Sequence, residues 1–241
     1  MATPEAEAGP EPGDAGVADA APDGGPRPPK GFCAKRTPKP RFCDDFDDGD
    51  VDDDWDVQTV LNGQPSLDTA AAKSPPASFL VETVALGNAE SAHVHLRATS
   101  SGAPAGHVVL AFDLKLGTAP LTKGAVAIAT LDVSLSHFFT LYLRDGHPDA
   151  PAATLEETAP GGTTRHVLSK PPPAGVWTRV TIDVDVGGAR ASVLWDSEKA
   201  LDQATIAPGG ASDPTIRVGA VYVYGPADAF EARFDDVTLD F

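Results

Sequence analysis

The chain is predicted to be all-β, a sandwich or barrel of antiparallel strands behind an N-terminal leader. Three observations predict this. Gly and Pro number 23 each beside a single Met, and the apolar stretches are built from Val, Leu and Thr, which favours strands and turns over helices. From Trp55 onward, short segments alternate apolar and polar residues and are punctuated by Gly, Pro, Asp and Ser, giving about a dozen strand candidates at sandwich spacing. No helix-length periodicity and no internal repeat is visible.

In chain order, residues 1–30 are Ala, Pro, Gly, Asp and Glu with almost nothing large and apolar, so ordering them could not repay the lost conformational entropy. They are read as a disordered acidic leader of the kind that follows a cleaved lipidated or secretory signal. This reading places the protein outside the cytoplasm (secreted, periplasmic or tethered to an outer membrane as a lipoprotein) and in a bacterium. Residues 31–44 form a basic segment: six Lys and Arg lie between Arg27 and Arg41 with no acidic residue among them. Cys33 and Cys43, the only cysteines, are expected to close this segment as a disulfide worth roughly 2 to 3 kcal/mol in the chain-entropy model. Residues 44–56 then carry nine aspartates in thirteen positions.

The domain proper is expected over residues 42–241. Its clearest strands are Ser78 to Leu86, His93 to Ala98, His107 to Leu116, Val126 to Leu131, His137 to Arg144, Val176 to Val186, Ala189 to Asp196, Thr215 to Gly225 and Phe230 to Phe241. One hairpin can be registered residue by residue. Gly187-Gly188 reads as a two-residue turn supplying positive φ, which opposes Asp185 to Arg190, Val184 to Ala191, Ile182 to Val193 and Val180 to Trp195. Trp195 is therefore expected in the core, and Asp185 is expected to pair with Arg190.

Charge narrows the function. The chain has 35 acidic against 18 basic residues, a formal net charge of −17, so a phosphate backbone would be repelled over most of the surface and nucleic-acid binding is disfavoured. No stretch reaches the roughly 18 to 20 apolar residues of a membrane-spanning helix.

Three local patterns together resemble the concanavalin A-like lectin/glucanase superfamily in its laminin-G-like branch. They are Cys43-Asp-Asp-Phe-Asp-Asp-Gly with Trp55 behind it, Trp177-Thr-Arg-Val-Thr-Ile-Asp-Val before a hairpin, and Ala232-Arg-Phe-Asp-Asp-Val-Thr-Leu-Asp-Phe at the close. The resemblance implies a two-sheet antiparallel jelly-roll sandwich with its first and last strands adjacent. It also implies a sugar or protein partner on a sheet face or rim, and a structural calcium tying first and last strands through Asp45 or Asp47 and Asp235 or Asp236. Calcium suits the aspartate run chemically, since it takes several oxygen ligands and neutralises crowded carboxylates. The run is not an EF-hand, because Phe46 and Trp55 fall on ligand positions.

Catalysis finds less support. Glucanase chemistry in this superfamily needs carboxylates alternating along one strand, and no Glu-x-Asp-x-Glu segment occurs. Asp183-Val-Asp185 is the nearest substitute for an atypical hydrolase or lyase pair, while adjacent Glu156 and Glu157 would point to opposite faces. His93-Val-His95 places two imidazoles on one strand face, an incomplete metal set that reads most simply as an exposed polar face. For a sugar, the requirement is an aromatic face flanked by planar polar groups. Phe138, Tyr142 and Arg144 on one strand, with Trp177 and Arg179 on another, meet it if the two strands share a sheet. The sequence thus reads as a non-catalytic module for carbohydrate or cell-envelope recognition, with an atypical glycoside hydrolase or lyase, or a protein-binding adhesion domain, as alternatives.

Overall fold

The computed structural model describes residues 31–51, 54–102, 106–117, 121–144, 151–210 and 212–241. The expected leader, residues 1–30, and two members of the aspartate run, Asp52 and Asp53, lie outside the described residues. In chain order the elements are α1 (Phe32–Lys35), β1 (Phe42–Asp44), β2 (Val57–Leu61), β3 (Gly63–Asp68), β4 (Ser78–Thr83), β5 (Ser91–Thr99), β6 (His107–Leu116), β7 (Ala125–Ser134), β8 (His137–Arg144), β9 (Ala153–Ala159), β10 (Gly162–Val167), β11 (Trp177–Asp185), β12 (Arg190–Trp195), β13 (Glu198–Thr205), β14 (Thr215–Tyr224) and β15 (Phe230–Asp240).

They form two antiparallel sheets. The first has the order β13-β12-β11-β6-β15-β4-β3, with β1 added on β15; the second has the order β10-β9-β8-β7-β14-β5-β2. First and last strands are therefore neighbours, with Cys43 opposite Thr238 and Asp44 opposite Val237. Each sheet turns one face inward by alternation, interrupted at bulges such as the one in β14. Val180, Ile182 and Val184 of β11 meet Val94, Leu96, Leu131, Phe139, Leu141 and Val218 of the second sheet in one core.

Aromatic rings extend that core toward the start of the domain. Phe42 and Phe46 pack on Trp55, Phe46 on Phe79, and Phe79 on Phe234, with centroids 4.8 to 6.4 Å apart. The motif around Cys43 is thereby anchored by its apolar residues, which draw Asp44, Asp45 and the Asp47 carboxylate inward while Asp48 and Asp50 stay exposed.

The β11–β12 register is as expected, with Asp185 opposite Arg190 and Val180 opposite Trp195, and Trp195 is buried. The turn differs. Neither Gly187 nor Gly188 has positive φ; Ala189 does, at 51°. Asp185 does not pair with Arg190, because its carboxylate accepts the Gly188 N–H at 2.7 Å, and Arg190 donates to Thr205 instead. A Cβ on Gly188 would stand 2.3 Å from Asp185 Oδ2, so the glycine is needed for the closeness of that cap.

Candidate functional site on the outer face of the second sheet

Strand order decides which residues can meet. β8 lies in the second sheet and β11 in the first, so Phe138, Tyr142 and Arg144 face away from Trp177 and Arg179 on opposite sides of the sandwich. The single groove that would need both strands in one sheet does not form. Arg179 is engaged within the fold: it donates to Asp113 at 3.0 Å, to the Asp236 carbonyl at 2.6 Å and to Thr238 at 3.1 Å, and lies over the Phe32 ring. It fastens α1 to the first sheet. Trp177 is half-buried opposite Lys115.

The neighbours that β8 does acquire come from β14 and β5. Alternation on β5 buries Ala92, Val94, Leu96 and Ala98 and sends His93, His95 and Arg97 to the outer face. Arg217 stands directly opposite Arg97 on one side and Thr130 on the other. Tyr222 follows a bulge in β14 and opposes Ala127, which in turn opposes Tyr142. Two tyrosines, two histidines and the arginines Arg97, Arg144 and Arg217 are thus brought onto one face by strands far apart in sequence.

Their contacts form a graded polar surface. Tyr222 stacks near Tyr224 and packs on His93, with centroids 6.4 and 5.2 Å apart, and His93 lies 6.3 Å from His95. Arg144 covers the Tyr142 ring and pairs with Glu156 at 2.8 Å, which Arg165 shares at 2.8 Å. Arg217 donates to Thr130 at 3.0 Å and pairs with Asp132 at 2.9 Å. Arg97 forms no ion pair among the described residues, though its charge reaches Asp132, and its Nε is buried without a hydrogen-bond partner, as is Nδ1 of His95.

Electrostatics follow from that crowding. His95 is 8% exposed and is not part of an exposed polar face. Burial, then the charges of Arg217, His93 and Arg97, push its pKa down to about 4, so the imidazole is neutral near pH 7. Burial, then the Glu156 charge, raises the Tyr142 hydroxyl above its ordinary value. Gly219 opposes His95, and a Cβ there would meet the Val94 carbonyl at 2.3 Å and His95 Cα at 2.9 Å. At φ +126° only glycine lets β14 approach β5 this closely.

The face adjoins a cleft of about 390 Å³ lined by Thr130, Asp132, Phe138, Thr215 and Arg217 among others. Phe138 therefore borders the arginine row at the opposite end of β8 from Arg144. Glu156 and Glu157 point to opposite faces: Glu156 joins the outer surface, whereas Glu157 is buried against His137 at 2.9 Å and His166 at 3.3 Å. Asp183, one of the substitute pair considered for hydrolysis, is held by His107 at 2.5 Å, and Asp185 caps the hairpin.

The carboxylates considered for calcium gather only in part. Asp45 leaves β1 beside Asp236 and accepts the Cys33 N–H at 2.8 Å. Asp235 is tied to the Lys73 and Ser74 N–H groups, and Asp236 to the Ser74 hydroxyl. Both oxygens of Asp47 are buried without a well-formed hydrogen bond, and the Ala77 N–H gives only slight relief. A Cβ on Gly31 would stand 2.4 Å from both Asp45 Oδ2 and Asp47 Oδ2, so these two carboxylates converge. Burial first, and then neighbouring aspartates, raises Asp47 to about 6 and Asp235 to about 8. Among the described residues no three His, Cys, Asp or Glu side chains stand in the arrangement of a metal centre. An ion here would be held by Asp45 and Asp47 and would take its remaining oxygens from the main chain or water.

Known structures share this architecture. An endo-β-1,4-glucuronan lyase from the fungus Trichoderma reesei superposes with a TM-score of 0.64 at 11% identity, over 84% of this chain and 95% of that one. The likeness is one of fold. Cellulose induced protein Cip1 gives 0.58 at 14% identity, over 82% of this chain and 96% of its own. The binding domain of botulinum neurotoxin DC, in complex with rat synaptotagmin II, gives 0.53 at 12% identity over 76% of this chain and 43% of that one. No protein-family model matches the chain, and no curated protein matches it in sequence. Among the described residues no helix is long and apolar enough to cross a membrane, and Cys33 and Cys43 are joined as a disulfide.

Proposed function

We propose that the protein is an extracytoplasmic, concanavalin A-like module that binds an acidic polysaccharide on the outer face of its second sheet. The observation that carries this is the placing of Arg97 directly opposite Arg217 on adjacent strands, with Arg97 in no ion pair among the described residues and its Nε buried without a hydrogen-bond partner, so that Asp132, which pairs with Arg217, is the one carboxylate whose charge both feel. Like charges directly opposite destabilise a sheet, and a bound uronate would relieve that by accepting from both guanidiniums. The exposed Tyr222 and Tyr224 offer ring faces to the sugar's C–H groups. The disulfide favours an oxidising compartment, and the fold is shared with a lyase named for glucuronan.

Calorimetric titration with a glucuronate hexasaccharide and with cellohexaose tests the reading. Preferential binding of the acidic sugar, weakened about tenfold by Arg97→Ala and again by Arg217→Ala as charge-assisted hydrogen bonds are removed, supports it. Equal binding of the neutral sugar, or affinity unchanged in both variants, overturns it.

A second reading is favoured by His95 being neutral and unpartnered between two arginines. In β-elimination the arginines would neutralise the uronate carboxylate, and the neutral imidazole of His95 would accept the proton from C5. The C4–O bond would then break, a C4=C5 double bond would form, and the departing oxygen would take up a proton, with Tyr142 as the nearby phenolic donor. New ultraviolet absorbance from polyglucuronate on mixing, lost in His95→Ala and Tyr142→Phe, would select this reading; none over long incubation would leave binding alone.

We further propose that Asp45 and Asp47 take up a calcium ion that fastens the start of the domain beside β15. Support comes from the buried, poorly partnered oxygens of Asp47 and their convergence on Asp45.

A further inference from the structure

We propose that the cleft between the disulfide-closed segment and the outer face of the first sheet is a second binding site, one that takes an anionic sugar. It is independent of the second-sheet face, from which the whole sandwich separates it.

The cleft holds about 620 Å³, within the range of roughly 300 to 1,000 Å³ usual for ligand sites. Arg36, Lys39 and Arg41 line one wall, and His107, Asp240 and the Phe241 ring line the other. The three cations are exposed, and among the described residues none has an ion pair or side-chain hydrogen bond. In a chain with 35 acidic against 18 basic residues, three neighbouring cations that share a cleft with a single acidic side chain, Asp240, and make no ion pair with it are a departure from the overall charge balance. Arg36 lies over the Phe32 ring and Arg41 over Phe241, each at 5.3 Å. Stacking occupies the planar faces of the guanidiniums and leaves their N–H edges to an incoming anion.

The other wall narrows the ligand class. Asp240 faces the same space as the cations; it repels a bare polyanion but accepts hydrogen bonds from hydroxyl groups. Phe241 adds an apolar surface for C–H groups. Cations for acid groups, a carboxylate for hydroxyls and a ring for the sugar face together describe a sulfated or uronic saccharide. The segment is already ordered by the Cys33–Cys43 bond and by the Arg41 N–H, which donates to the Leu239 carbonyl at 2.9 Å, so little ordering remains to be done on binding.

The test is made in the Arg97→Ala/Arg217→Ala double variant, which removes the two arginines on which the second-sheet reading rests and leaves Arg144 and Arg165 engaged with Glu156, so failure of one site cannot be mistaken for failure of the other. A heparin-derived tetrasaccharide, an oligogalacturonate of equal length and inorganic tripolyphosphate are titrated at low salt. The expected result is binding of one or both sugars above tripolyphosphate, weakened about tenfold for each of Arg36→Ala and Arg41→Ala with unchanged thermal unfolding. No binding of either sugar, tripolyphosphate binding as tightly as they do, or affinity indifferent to both substitutions overturns the proposal.

Discussion

At the scale of single residues, the fold carries carboxylates that it would prefer protonated. Burial raises Asp44 to about 7, Asp47 and Asp236 to about 6, and Asp235 to about 8, against roughly 3.9 in an unfolded chain. The native state therefore binds more protons than the unfolded state between about pH 4 and 8, and stability falls as pH rises through that window. His95, pushed down to about 4, acts oppositely below its unfolded value of about 6.5, where unfolding takes up a proton. In metal-free buffer the thermal midpoint should accordingly keep rising as pH is lowered from 8.5 toward about 5, with His95 offsetting one of the four carboxylates below about 6.5. Calcium should raise the midpoint most at the alkaline end, since an ion that binds only the native state stabilises it. Asp47→Asn should raise the metal-free midpoint and remove the calcium response. A calcium response that survives this substitution would exclude Asp47 as a ligand.

At the scale of elements, the β11–β12 hairpin shows what period-two alternation does and does not encode. Pairing of Val180 with Trp195 and of Ile182 with Val193 follows from apolar spacing, so it could be read directly. The conformation of the turn could not, because the Asp185 cap on Gly188 moves the left-handed residue to Ala189. Gly188→Ala should destabilise by about 1 kcal/mol through loss of that hydrogen bond, and in the Asp185→Ala background the cost should largely vanish. Chemical denaturation of the four proteins measures this cycle; additive losses would mean the cap contributes nothing. Strands β9, β10 and β13 were not among the clearest candidates for a related reason: they are edge or near-edge strands in which Thr, Glu and other polar residues leave weak apolar alternation.

At the scale of the whole molecule, sheet assignment was the part of the site hidden from the sequence. Tyr142, Arg144, Trp177 and Arg179 all alternate with core residues, and nothing local distinguishes a strand of one sheet from a strand of the other. His93 and His95 were visible as one strand face, but Arg97 was not singled out with them, and the meeting of all three with Arg217 and Tyr222 depends on β14 lying beside β5 across more than a hundred residues of chain. The disulfide is the local feature with the largest long-range reach, because it holds both the cleft and α1 against the first sheet. Reduction should lower stability by about 3 kcal/mol in the chain-entropy model and weaken sugar binding at the cleft while leaving the second-sheet face intact. Loss of both together would show that the segment supports the entire sandwich.

The two arginine-bearing surfaces point in opposite directions from a slab whose layers stand roughly 10 Å apart. Two such surfaces on one rigid body would make each molecule divalent toward a long acidic polymer. It would cross-link neighbouring strands and thicken or agglutinate a dissolved polysaccharide, whereas a protein with either surface disabled would coat single strands and keep them apart.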